Sequence, residues 1–312
     1  MGKVPPEVDR LVRERENRRA ARDFGAADEL RRQVRDLGFD IEDSPTGPRV
    51  APMSTAPPAA RRMAPDQVPS VLNEPPAADA SVHWLVQGWP EDVVRGIEAF
   101  RRHHRERSVQ HVVVDAARTD PGVWPEDVEV VPLDRDHGWA AGRNAGFRRT
   151  AGRVVVLVDG SVEPTGDVLG PMERALEDPS VGLAGPFGVV TEDLHDFEAS
   201  DGPDVDAIEG YLMAFHRDLL LDLGRPGPFD DRFRFYRAAD IEFSFRVKDR
   251  GLRCVVVPVP LTRHEHRMWA HTPAEERDRL SRRNFYRFLG RWRGRLDLCV
   301  AHGRGHGHGH EG

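Results

Sequence analysis

Val154-Val155-Val156-Leu157-Val158-Asp159-Gly160-Ser161-Val162 is a β-branched apolar run that ends in a carboxylate, a glycine and a hydroxyl. An unbroken run of this kind reads as a strand buried on both faces, as in a parallel sheet. The carboxyl end of such a strand is where open α/β sheets bind ligands. A buried strand closed by a polar turn gives the same local pattern, so the flanking sequence decides between the two readings.

Upstream, Val82–Val86 reads as a strand and Pro90–Arg102 as a helix with Val93, Val94, Ile97 and Phe100 on one face. Strands at Gln110–Val114 and Val128–Pro132 follow, then a small-residue helix from Ala140 to Arg149. Downstream come a helix over Val168–Leu176, apolar runs at Val181–Pro186 and Ile208–Phe215, a helix from Asp240 to Arg250 and a strand from Cys254 to Pro258. A basic amphipathic segment, Pro273–Leu296, closes this part. Strands alternating with helices at this spacing predict βαβ units and a mostly parallel sheet.

Ahead of this region lie two further compositions. Residues 6 to 37 repeat apolar residues at spacings of three and four (Val8, Leu11, Val12, then Ala27, Leu30, Val34, Leu37), with Asp23-Phe24-Gly25 between, which predicts a helical hairpin. Residues 51–80 are rich in Pro, Ala and small polar residues and predict a mobile, disordered linker, because they offer too little apolar surface to offset ordering entropy. The expected organisation is a hairpin over 1–50, a linker over 51–80, an α/β domain over 81–297 and a flexible His/Gly-rich tail over 298–312. The tail's spaced imidazoles are at most a weak, peripheral transition-metal site.

With 312 residues, a net charge of −7 and 31% charged residues, the chain predicts a protein in water without general affinity for nucleic acid or anionic lipid. Two cysteines, Cys254 and Cys299, suggest neither a disulfide framework nor a zinc site. No signal-peptide core or membrane-length apolar run is present, so a cytoplasmic location is expected. The basic segment near the end is a candidate for peripheral membrane contact, with packing of its aromatics on the sheet as the competing expectation.

The first segment resembles the C-terminal region of bacterial cysteinyl-tRNA synthetases, through Leu11-Val12-Arg13-Glu14-Arg15-Glu16-Asn17-Arg18-Arg19-Ala20-Ala21-Arg22-Asp23-Phe24, Ala27-Asp28-Glu29-Leu30-Arg31 and Leu37-Gly38-Phe39-Asp40-Ile41. It covers about 50 residues and carries no catalytic domain. The resemblance implies a protein or tRNA partner. Acids interleave with Arg10, Arg13, Arg15, Arg18, Arg19 and Arg22, which favours a salt-bridged docking surface over an RNA-binding one.

Residues 82 to 296 resemble family 2 glycosyltransferases of the GT-A fold, through five motifs in order. These are Val112-Val113-Val114-Asp115-Ala116-Ala117-Arg118-Thr119-Asp120, Asp136-His137-Gly138-Trp139-Ala140-Ala141-Gly142-Arg143-Asn144-Ala145-Gly146, Asp159-Gly160-Ser161, the segment Phe233–Arg246, and Val257–His264. The resemblance implies an inverting enzyme that uses a nucleotide-diphospho-sugar donor and a divalent cation, Mn²⁺ or Mg²⁺, toward an unidentified acceptor. It assigns Asp240 as catalytic base, and it places Asp115 at the nucleoside, Arg143 at the diphosphate and Gly210 at the sugar side of the pocket. Asp159, Ser161 and His264, with Glu163 beside them, become the expected cation site.

Two positions depart from the family pattern. Ser161 stands where the second Asp of Asp-X-Asp belongs, and a neutral hydroxyl holds a hard cation less strongly than a carboxylate, so weak metal binding is expected. Ala239 stands where the first acid of the catalytic pair belongs. These departures open two alternatives to an active transferase: an impaired, glycosyltransferase-like binding module, and a tRNA- or synthetase-associated interaction protein.

Overall fold

A computed structural model of the chain describes residues 5–21, 23–37, 39–44, 47–52, 62–223 and 227–303. The chain divides into two compact units, residues 1–60 and 61–312.

In the smaller unit, helices α1 (Pro6–Ala20) and α2 (Phe24–Asp36) form the expected hairpin. Asp23 accepts a hydrogen bond from the Ala26 amide at the turn. Val8, Leu11 and Val12 bury against Leu30, Val34 and Ile41. Leu37, expected on that face, is exposed. The unit also contains a strand pair, β1 (Phe39–Ser44) and β2 (Gly47–Pro52), which pairs Ile41 with Val50 and was missed in the helical reading. Its signal is the alternation of Phe39 and Ile41, too short to stand out beside two helices.

The larger unit is built on an eight-stranded sheet. Its elements in chain order are β3 (Ala78–Val86), α3 (Pro90–His103), β4 (Val109–Asp115), β5 (Glu129–Pro132), α4 (Trp139–Phe147), β6 (Gly152–Val158), β7 (Val162–Pro164), α5 (Leu169–Leu176), β8 (Val181–Gly185), β9 (Gly188–Val190), β10 (Glu198–Ser200), β11 (Asp204–Val205), β12 (Ala207–Ile208), β13 (Leu212–His216), α6 (Leu219–Asp222), α7 (Ala239–Lys248), β14 (Arg253–Val256), β15 (Leu261–Arg263), α8 (Arg267–His271), α9 (Ala274–Trp292) and α10 (Val300–Gly303). The sheet order is β11-β14-β8-β13-β6-β3-β4-β5. Most neighbours are parallel, but β13 runs antiparallel to β6 and β8, and β11 antiparallel to β14.

The opening run is buried on both sides, as its composition requires. Val154, Val156 and Val158 pack with Trp84, Ile97 and Met172 on one face of the sheet. Val155 and Leu157 pack with Phe147, Phe215 and Phe243 on the other. Alternation along β6 therefore feeds two cores, and Asp159 is the first residue beyond them.

The proline-rich stretch is ordered sooner than its composition predicts. Residues 53–61 lie outside the described residues, but from Arg62 the chain lies on the larger unit. Met63 bridges to Leu133, Val68 is buried, and the Val71 amide bonds to the Arg148 carbonyl. A few apolar anchors and carbonyls that accept from Arg148, Arg149 and Arg217 replace the continuous hydrophobic face that composition searches for. The expected tail also begins later than position 298: Cys299 is buried and the Val300 amide donates to Asp206 at 2.7 Å. Residues 304–312, with most of the His/Gly repeat, lie outside the described residues. The basic segment packs as α9, with Phe288, Leu289 and Trp292 buried, while Tyr286 remains exposed. No helix among the described residues is long and apolar enough to cross a membrane.

Two histidines at the sheet make the fold sensitive to acid. His83 on β3 is pushed down to about 3 by burial and the nearby Arg143 cation. His111 on β4 is pushed down to about 4 by burial and Arg101, with Asp127 opposing. The unfolded chain takes up these protons near pH 6.5 and the native protein does not. Their contribution is therefore complete above pH 6.5 and lost as pH falls toward the native values. At pH 5 the loss is about 2 kcal/mol for each histidine. Thermal melts should show the midpoint of the larger unit falling by roughly 10 °C between pH 7 and pH 5, and equal midpoints would count against this account.

Candidate active site

Asp159 leaves β6 with its amide donating to the carbonyl of Tyr211, just ahead of the neighbouring antiparallel strand, which fixes its position at the carboxyl end of β6. Its Oδ1 accepts from the Ser161 amide at 2.9 Å and the Ser161 hydroxyl at 2.5 Å. Its Oδ2 lies 3.4 Å from His266 Nε2. Burial pushes this carboxyl up, but the opposing interactions with His266 and Ser161 outweigh it and hold the group at about 2. Asp159 is an anion at every working pH.

Ser161 is 4% exposed and spends its hydroxyl proton on Asp159. It orients that carboxylate. His264, expected beside Asp159, instead pairs its Nε2 with Glu163 at 2.8 Å, and Glu163 also faces Arg95 at 3.4 Å. The histidine that does reach Asp159 is His266, two positions later, which sequence spacing alone did not single out. Its Nδ1 accepts from the Trp269 amide at 3.1 Å as the cap of α8, and its ring lies 4.6 Å from that of Tyr236. A neutral imidazole that accepts at Nδ1 carries its proton on Nε2, so His266 presents a donor to Asp159 and to any oxyanion placed there.

These contacts bear on a divalent cation. No group of three or more His, Cys, Asp or Glu side chains arranged to hold a metal occurs among the described residues. Among the described residues, Oδ1 of Asp159 accepts two hydrogen bonds and Oδ2 faces only His266 Nε2 at 3.4 Å, so Oδ2 is the more open of the two Asp159 oxygens. Mg²⁺ and similar ions are commonly held by one or two carboxylates together with substrate phosphates. The residues therefore fit a cation that arrives with a diphosphate, in line with the weak binding expected from Ser161.

Asp240 is the second residue of α7, after Ala238 in a left-handed conformation at φ 64°. Its Oδ2 accepts from the Gly210 amide at 2.8 Å and its Oδ1 from the Ile241 amide at 2.9 Å. Burial raises this carboxyl above its ordinary range, against those amides and Arg237. Gly210 thus contributes its amide. An added Cβ there would sit at ordinary contact distance, 3.4 Å from Asp240 Cβ. Gly138 is the glycine that the loop demands, with φ 95° and a virtual Cβ only 2.8 Å from the Arg234 Cα. Glu242, the other acid of this segment, is turned to Arg291 at 2.9 Å.

Two other expected site residues are committed elsewhere. Asp115 is buried and accepts from the Ala117 and Thr119 amides, the Thr119 hydroxyl and Arg62, the last at 3.0 Å. The Arg143 guanidinium is buried between strands and donates to the carbonyls of His83 and Val158, each at 2.9 Å. Burial lowers it to about 10 despite Asp159 nearby. It ties the interior of β3 to the end of β6, while its side chain still forms part of a cleft wall.

That cleft, about 60 Å³, is bordered by Gln87, Trp89, Ser161 and Arg267. A cavity of about 450 Å³ lies beyond it, bordered by Glu209, Gly210, Asp240 and Phe285. Trp139, Asp159, Tyr236 and His266 belong to both. An anionic carboxylate with an N–H donor thus stands between a cleft and a cavity that holds a carboxyl of raised proton affinity.

Residues 109–241 match the family model described as glycosyl transferase family 2, and residues 1–49 match the cysteinyl-tRNA ligase anticodon binding domain. The cysteine–tRNA ligase of Methanosarcina acetivorans is 49% identical over 47 residues, covering 15% of this chain and 10% of the ligase. The corresponding enzyme of Pediococcus pentosaceus is 46% identical over 43 residues, covering 14% and 9%. The chain thus spans about a tenth of the length of these curated relatives. Among solved structures, GalNAc-T7 with UDP, GalNAc and Mn²⁺ superposes with a TM-score of 0.56 at 15% identity, covering 70% of this chain and 49% of that one. A mannosyltransferase of Pyrobaculum calidifontis with GDP-Man and Mn²⁺ gives a TM-score of 0.47 at 23% identity, covering 58% and 55%. The larger unit has a GT-A-like fold.

Proposed function

We propose that the larger unit, with its family 2 glycosyl transferase segment on a GT-A-like sheet, transfers a sugar from a nucleotide-diphospho-sugar to an acceptor hydroxyl with inversion at the anomeric carbon. The observation that carries this reading is the placement of Asp159 and Asp240 on one cavity with opposite shifts, one held as an anion and the other raised toward neutrality. Divergent carboxyl environments are a mark of divided acid–base roles.

In this reading the donor diphosphate lies at Asp159, Ser161 and His266, and the acceptor enters the larger cavity. Asp240 takes the acceptor proton as the acceptor oxygen bonds to the anomeric carbon and the bond from that carbon to the diphosphate oxygen breaks. Each Asp240 oxygen receives one amide hydrogen bond and keeps a lone pair, so a base is available without losing its supports. His266 donates from Nε2 to the departing phosphate. A bound Mn²⁺ or Mg²⁺ would neutralise diphosphate charge at Asp159. Trp139 and Tyr236 line both spaces.

The smaller unit is read as a docking module for a protein or tRNA. Arg10 and Arg18 face Glu7 and Glu14 at exposed positions, which supports a salt-bridged recognition surface.

The reading is tested by thermal shift of the full chain against UDP-, GDP- and TDP-sugars, with and without Mn²⁺, followed by donor turnover. At least one nucleotide sugar should raise the midpoint by several degrees, more with Mn²⁺ than without, and be consumed. A folded protein that ignores the whole panel would overturn it.

A further inference from the structure

Glu209 lies in the short turn between β12 and β13, with its amide bound to the Phe187 carbonyl at 2.8 Å. Its side chain borders the 450 Å³ cavity, and among the described residues no hydrogen bond or ion pair reaches its carboxyl. The next residue supplies the amide that holds Asp240, so a single turn sets both carboxyls at the cavity wall. Burial and then the Asp240 charge raise Glu209, against Arg263 and Arg237. A half-buried carboxyl without a protein donor is costly unless a ligand supplies one.

One base requires one hydroxyl. A second carboxyl beside it accounts for a second hydroxyl on the same molecule. Glu209 also brings to the cavity, from a different element, the carboxyl that Ala239 does not provide. Phe197 and Phe285 add flat apolar faces to the same cavity, suited to the C–H face of a sugar ring.

The rim differs in charge. Arg237 and Arg282 border the cavity, are exposed, and have no carboxylate partner within ion-pair distance among the described residues. Arg95, Arg267 and Arg291 nearby each have one. Two exposed guanidinium groups on one cavity, neither held in an ion pair among the described residues, suit an anionic group on the entering molecule.

We infer, resting on the transferase reading above, that the acceptor is an acidic saccharide: Glu209 and Asp240 receive two of its hydroxyls, and Arg237 and Arg282 its carboxylate, phosphate or sulfate. Glu209 is then a specificity residue for the acceptor.

Titration calorimetry of the full chain with glucose, glucuronate, glucose 6-phosphate and glucose 6-sulfate tests the assignment and separates the three sources of charge. At least one charged sugar should bind tenfold or more tightly than glucose. The Arg237→Gln/Arg282→Gln double variant, altered only at exposed positions, should bring that ratio within twofold. Glu209→Gln should weaken charged and neutral sugars alike and leave the ratio standing. Equal binding of all four, no saturable binding, or a preference that survives the double variant would overturn the inference. Donor binding without charge preference removes the acceptor assignment alone, whereas charge preference without donor binding removes the transferase reading.

Discussion

Asp240→Asn should reduce sugar transfer by about 10²- to 10⁴-fold, the range that general base catalysis contributes, while nucleotide-sugar binding changes little. The amide keeps the size of the carboxylate and can still accept the Gly210 N–H, so the turn that carries Glu209 keeps its anchor. What it cannot do is take a proton. It also cannot accept the Ile241 N–H with its NH₂ group, which costs about 1 kcal/mol of stability and leaves the fold intact. The pH profile separates loss of a base from loss of a support. Because burial raises Asp240, transfer by the wild type should climb with pH through a value above 3.8, the ordinary carboxylate value, as the anion forms. In the Asn variant that limb should vanish from the residual rate. A variant that keeps more than a tenth of the rate with the same pH limb would reduce Asp240 to a residue that stabilises the start of α7.

The parts of this arrangement that the sequence discloses are those fixed by local pattern. Continuous β-branched runs marked the strands and put Asp159 at the end of one, while Asp240, at the start of the α7 pattern, took its expected role from the family resemblance. The reversal of β13 was not legible, because Leu212–Phe215 is apolar in either direction and only the connection from β12 decides its course. Arg143 and Asp115 show a different limit. A charged residue in a motif looks the same whether or not it also satisfies backbone groups, and here Arg143 donates to the buried carbonyls of His83 and Val158 while Asp115 accepts from turn amides and Arg62. His266 was hidden by its neighbour. Both histidines follow β15, and the pairing of β15 with β7 turns His264 toward Glu163 and brings His266 to Asp159. Glu209 carries no motif at all, since its role depends on a turn meeting a helix some 30 residues later. Arg62 was unreadable for a related reason: its partners lie 53 and 71 positions away, and composition reported only a proline-rich context.

Ser161→Asp should tighten Mn²⁺ binding at least tenfold and destabilise the cation-free protein, and the two effects share one cause. The wild-type hydroxyl donates to Asp159 Oδ1 from 2.5 Å in a setting only 4% exposed. A carboxylate at that position removes the donor and sets a second negative charge against the first, at a cost of about 1–3 kcal/mol. A divalent cation between the two carboxylates reverses the cost, because oxygen anions are the ligands that hard cations prefer. At Mn²⁺ about 100-fold above the dissociation constant, binding linkage stabilises the variant by about 2.7 kcal/mol, or roughly 5–10 °C in its midpoint. The wild type should shift little with Mn²⁺ alone and further when the nucleotide sugar is also present, as expected if the diphosphate brings the remaining ligands. An equal Mn²⁺ shift in both proteins would mean that Asp159 already has a sufficient set of partners, contrary to the contacts of Oδ1 and His266. The same variant weighs catalysis against recognition. If the wild type binds nucleotide sugar and turns it over, Ser161 is a tuning of an active centre. If turnover emerges only with Asp at 161, the native chain uses its donor pocket for binding, and the hydroxyl that orients Asp159 is what keeps the site from reacting.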